Sequence, residues 1–190
     1  MAASTSRTSP GNHKVLLGAL LCIAAPASFL PGSSASTPLV AQTCGRTSNQ
    51  RLCVSLLESS NRSRSATTVR DLAIIALRGA RRSALRGRLR AWDLSYGARR
   101  GTPSPAGRLV ARCAALYKDC LHAAAHALAR VTHMPAYDDR VADAVSALRV
   151  FPEKCQRLFH AQEIVSPLEQ VNRDTGEKLG IASEIVHLLR

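Results

Sequence analysis

Cys44 and Cys53 bracket the stretch TCGRTSNQRLC, and Cys113, Cys120 and Cys155 follow at wide intervals. Thiols can ligate a metal, exchange disulfides or cross-link the chain. The eight residues between Cys44 and Cys53 are too many for a C-x-x-C redox pair, and no nearby histidine completes a zinc site. Cross-linking fits better, because eight residues let two short helical arms turn back on each other while the bond holds the hairpin. Cys113–Cys155 would tie two more distant segments, and loop-closure entropy assigns each bridge about 3–4 kcal/mol. Cys120 lies two turns beyond Cys113 and is the expected free thiol, a small apolar side chain in the core. Cys120–Cys155 is the competing connectivity, and spacing leaves it open.

The other reactive side chains offer less. His122 and His126 are four apart in HAAAH, a helical spacing that can present two imidazoles to a metal. Ala123 stands where a zinc protease carries glutamate, and no third ligand is evident, so neither a metal nor a cofactor is expected. No nucleophile elbow, glycine-rich phosphate loop or paired carboxylates appear, and the chain is not expected to be an enzyme. The run RGARRSALRGRLR (Arg78–Arg90) concentrates positive charge on a helix face, which is solvated or attracts an acidic polysaccharide such as de-esterified pectin. Three Phe, three Tyr and one Trp, none interleaved with these arginines, argue against nucleic acid as a partner. A basic binder of wall polysaccharide or nucleic acid, without an enzyme target, is the second hypothesis.

The compartment supports cross-linking. Met1–Lys14 carries Arg7 and Lys14 without an acid, VLLGALLCIAAPASFL (Val15–Leu30) is a short Pro-broken apolar run, and Ser33-Ser34-Ala35 supplies small residues for cleavage. Met1–Ala35 therefore reads as a secretory signal, and no later stretch is apolar enough to span a bilayer. Its removal takes away Cys22 and two basic residues, lowering the net charge from +13 to +11 and leaving one domain over 36–190. Five cysteines in an oxidising lumen imply two bridges and one spare thiol. The sequon at Asn61-Arg62-Ser63 is a candidate glycosylation site that fits the same route.

The elements that must position these residues read as helices. Val69, Leu72, Ala73, Ala76, Ala80 and Ala84 share one face of a helix running to about Trp92. Gly79 and Gly87 each weaken that helix by up to about 1 kcal/mol. Gly97–Gly107 (GARRGTPSPAG) reads as a linker. An apolar stripe from Leu109 through Cys113, Tyr117, Cys120 and Ala124 to Val131 marks a second long helix. A break follows at His133-Met134-Pro135, and Asp138 or Asp139 caps a third through Val141, Val145 and Leu148. Pro152 either restarts a short segment through Cys155 and Phe159 or continues the third helix with a kink, and a final helix after Ser166-Pro167 and a polar stretch is marked by Leu179, Ala182, Ile185, Val186 and Leu189. Nothing alternates with period two. The reading is all-α, an antiparallel bundle with the Cys44–Cys53 hairpin outside it.

These pieces together resemble the plant invertase and pectin methylesterase inhibitors over Val40–Arg190. The matching stretches are TCGRTSNQRLC, CAALYKDC, VSAL (Val145–Leu148), CQRLF, IVSPL (Ile164–Leu168) and LGIASEIVHLL, with VSAL and IVSPL nearest the pollen-allergen branch. The resemblance implies an up-down-up-down four-helix bundle with an N-terminal helical hairpin, and bridges Cys44–Cys53 and Cys113–Cys155 with Cys120 free. It further implies a secreted apoplastic inhibitor (the vacuole being the other destination) that forms a 1:1 complex with pectin methylesterase or acid invertase. Invertase inhibitors of the family insert a Pro-Lys-Phe loop into the active site. Pro135-Ala136-Tyr137-Asp138 stands at that place here, with alanine in place of the lysine. Methylesterase inhibitors use polar faces of the bundle instead.

Overall fold

The computed structural model describes residues 36–99 and 104–190. A helix starts readily where a side-chain oxygen receives one of its first free amides, and this chain supplies such oxygens repeatedly. Thr37 accepts from Val40 N ahead of α1 (Pro38–Cys44), and Asn49 accepts from Leu52 N ahead of α2 (Gln50–Glu58). Ahead of α3 (Val69–Arg99) the cap is reciprocal: Thr68 Oγ1 accepts from Asp71 N at 3.1 Å, and Asp71 Oδ2 accepts from Thr67 N and Thr68 N. Ser104 accepts from Gly107 N and Pro105 occupies the first turn of α4 (Pro105–His133). Asp138 accepts from Arg140 N and caps α5 (Asp139–Ser146).

A 3-10 turn at Ala147–Arg149 joins α5 to α6 (Val150–His160), and α7 (Glu169–His187) ends the chain. Pro152 lies inside α6, so of the two sequence readings the kinked continuation holds. Its missing N–H would have bonded the Leu148 carbonyl, which falls in the tightened 3-10 stretch. The α5–α6 pair thus acts as one bent arm. Helix α3 packs along α4 and α7, while the bent arm packs against α4 and α7 on the other side. The result is the up-down-up-down four-helix bundle, and no strand occurs among the described residues.

Two bonds lock this arrangement. Cys44–Cys53 closes the α1–α2 hairpin with Cα atoms 5.5 Å apart, and Cys113–Cys155 ties α4 to α6 at 5.0 Å. Cys120 is free and buried, so the Cys120–Cys155 alternative does not occur. The hairpin docks on the bundle through buried Leu56 and Leu57. Its turn is fixed to α7, where the Glu184 carboxylate accepts from Ser48 N at 2.7 Å and Ser48 Oγ at 2.6 Å.

Two sequence expectations change, and the helix glycines gain a reason. Helix α3 continues past Trp92 to Arg99 and α4 begins at Pro105, so the Gly97–Gly107 linker contracts to a short connection. Part of that linker, like the signal expected over Met1–Ala35, lies outside the described residues. Helix α7 begins ten residues before Leu179, at Glu169, because its polar first half finds buried partners. The helix glycines are sites of close approach: a Cβ at Gly79 would overlap Leu56 of α2, and one at Gly87 would overlap the ring of Tyr117.

Candidate functional site

The loop between α4 and α5 is the expected target contact. Met134 anchors it in the core, while Pro135 and Ala136 are exposed. Tyr137 turns inward against the core. Its hydroxyl accepts from Arg190 Nε at 3.1 Å and lies 3.3 Å from His187 Nδ1. The Arg190 guanidinium sits 5.4 Å from the ring centroid and donates through Nη2 to Asp139 Oδ1 at 2.9 Å. On its other side, His187 Nε2 lies 3.3 Å from Ser146 Oγ, which is 2.7 Å from Ser183 Oγ. Asp138 caps α5 and faces Arg130 at 3.4 Å. Tyr137 and Asp138 are therefore engaged by their own fold, and the exposed tip, Pro135-Ala136, carries no charge.

Inside the bundle, polar side chains set the helix register. Tyr117, 1% exposed, donates to Asn172 Oδ1 at 2.8 Å, and Asn172 Nδ2 donates to Gln156 Oε1 at 2.9 Å. This chain links α4, α7 and α6. A second group joins α3 to α7, where Ser83 Oγ donates to Asp174 Oδ2 at 2.6 Å and lies 3.1 Å from Thr175 Oγ1. Burial pulls the Asp174 carboxyl upward, but Lys178 at 2.6 Å, the Ser83 hydroxyl and Arg86 at 3.7 Å outweigh it and hold it below the usual range. No buried side-chain polar atom among the described residues lacks a partner. Sequence reading missed Asn172 and Thr175, because each becomes a core residue only through a partner on another helix.

Outward-facing chemistry includes three grooves among the described residues. The first, about 690 Å³, runs between α3 and α4 and carries Arg78, Arg81, Arg82 and Arg88 opposite His122 and His126. The arginines expected on a solvated face thus meet the HAAAH pair across one groove. A polar groove of about 360 Å³ between α6 and α7 contains Glu153, Gln156, Asn172 and Arg173. The third, about 460 Å³, joins α4 to α6 around Leu116 and Leu158 with Asp119 and Arg157 beside them. Among the described residues no three His, Cys, Asp or Glu side chains gather to hold a metal, and no helix is long and apolar enough to cross a membrane. Burial pushes the Cys120 thiol up to about 12, which removes it as a nucleophile at neutral pH. Asn61 is exposed at the start of a 3-10 turn, Asn61–Ser65.

The surfaces on offer thus include a neutral loop tip and a basic, a polar and a largely apolar groove on a cross-linked bundle. No curated protein matches the chain closely enough to identify a partner. The family model for the plant invertase/pectin methylesterase inhibitor matches residues 38–185, and with that span of the bundle and both bridges accounted for, the chain belongs to this family of protein inhibitors.

Proposed function

We propose that this chain is a secreted inhibitor of pectin methylesterase that acts as a stoichiometric plug, with Met1–Ala35 cleaved as a signal and residues 36–190 working in the apoplast. The orientation of Tyr137 carries the choice of target. A loop that entered an invertase active site would have to present its aromatic outward with a cation beside it. Here Ala136 supplies no cation, and Tyr137 is held against the bundle by Arg190 and His187. The polar helix faces remain as the contact, chiefly the α6–α7 groove, where Gln156, held in place from below by the buried Asn172, can meet a partner at low entropic cost. Acid invertase is the second reading, favoured by the exposed Pro135 and the retained aromatic.

The test is a titration of purified, oxidised protein against a plant pectin methylesterase and an acid invertase across a pH series. Methylesterase activity is expected to fall linearly to an equivalence point at one inhibitor per enzyme, with invertase unaffected. Inhibition of invertase that disappears in Tyr137→Ala would move the target to the second reading. Full activity of both enzymes throughout would reject inhibition.

A further inference from the structure

We propose that the groove between α3 and α4 is a binding site for a polyuronate chain, a polymer bearing one carboxylate per sugar, separate from the surface that meets the enzyme. Arg78, Arg81, Arg82 and Arg88 fall at offsets of three, four and ten from the first, a stripe along roughly 15 Å of helix axis. Among the described residues none of the four has an acidic partner. Arg86, between them in sequence, turns instead to Asp174 of α7 at 3.7 Å. Like charges three and four apart on one helix repel, and the facing wall of the groove adds His122 and His126 rather than a carboxylate. A cationic groove without counter-charges is a site for an anion. Guanidinium forks match carboxylates two bonds at a time.

The rest of the groove selects the kind of polyanion. Its apolar floor, Leu85, Leu121 and Leu128, suits the C–H faces of sugar rings. Trp92, 58% exposed, lies one turn beyond Arg88 on the same helix face and provides a flat platform for a pyranose, with the exposed Tyr96 a further turn on. Nucleic acid needs a succession of such platforms for its bases, and the groove itself holds no Phe, Tyr or Trp. The choice of uronate also rests on the family: a methylesterase acting on pectin leaves free carboxylates on the polymer. Binding there would keep the inhibitor on the surface where its target works.

The test needs no enzyme, so its failure leaves the inhibitor reading standing. Trp92 is the single tryptophan of the chain, and its fluorescence reports occupancy directly. Oxidised protein is titrated with polygalacturonate, with the same polymer fully methyl-esterified, and with single-stranded DNA. Polygalacturonate is expected to shift the Trp92 emission and to bind about tenfold or more tighter than the esterified polymer or DNA, weakening as salt screens the charges. The double variant Arg81→Glu/Arg82→Glu is expected to lose about tenfold or more of that affinity, while Arg46→Glu/Arg51→Glu, with the same charge change on the hairpin, stays within about threefold. Circular dichroism and intact bridges verify that each variant is folded. Equal loss in both variants, equal binding of the esterified polymer, or tighter binding of DNA would each overturn the proposal.

Discussion

The ring of Tyr117 on α4 lies directly over the backbone of Gly87 on α3, so that a single added Cβ would occupy the same space as the ring. The glycine that weakens α3 in isolation is what lets the two longest helices close around a buried phenol. Gly87→Ala is therefore expected to destabilise the fold by about 1–3 kcal/mol, even though alanine favours an isolated helix by about 1 kcal/mol. Gly176 on α7 is the contrasting case, since a Cβ there meets only Pro152 at 3.9 Å, and Gly176→Ala is expected to stabilise by up to about 1 kcal/mol. Urea unfolding of the two variants beside the parent reads both signs.

The far end of the same phenol anchors α7. Tyr117→Phe keeps the ring on Gly87 but leaves Asn172 Oδ1, in a residue 4% exposed, without its donor. The expected cost is about 1–3 kcal/mol, measured by the same unfolding curves. A change below a few tenths would mean that water takes the place of the hydroxyl.

Acid should loosen the bundle at two carboxylates. At Asp71 burial pulls the carboxyl upward, but the hydroxyls and amides of Thr68 and Thr67 together outweigh it, holding it low as Asp174 is held low by Lys178 and Ser83. Because both folded values lie below the unfolded one, about 3.9, their contribution is complete above that pH and is lost as pH falls through the folded values. The urea midpoint is expected to drop below about pH 4, and Asp71→Asn and Asp174→Asn are each expected to flatten that dependence. An unchanged slope in both variants would assign acid sensitivity to other groups.

Oxidised protein should carry one thiol that is invisible until the fold opens. Cys120 is fully buried and its proton is held to about 12. Iodoacetamide at pH 8 is expected to leave native protein unlabelled and to modify Cys120 alone in denaturant without reductant. Peptide mapping should then recover Cys44 joined to Cys53 and Cys113 joined to Cys155. Label on Cys113 instead would establish the competing bridge.

What the sequence by itself determined is local. The hairpin at Cys44–Cys53, a cap at Asp138 or Asp139, and the apolar stripes of α3 and α4 all follow from residues within a few turns of one another, where helix periodicity and capping operate. The family resemblance extends this by matching short motifs in order, and it carried the bundle topology and the Cys113–Cys155 pairing that spacing left open. Tertiary structure decided everything that depends on two distant segments meeting. The first half of α7 reads as polar because Asn172 and Thr175 become interior only when Tyr117 and Ser83 arrive from helices 55 and 92 positions away. Tyr137 is withdrawn from solvent by Arg190, 53 positions on, and the arginines of α3 form a groove only because α4 supplies its facing wall. Periodicity assigns a residue to a face of its own helix. The partner that face meets, and whether it leaves a charge paired or bare, is set by packing between helices.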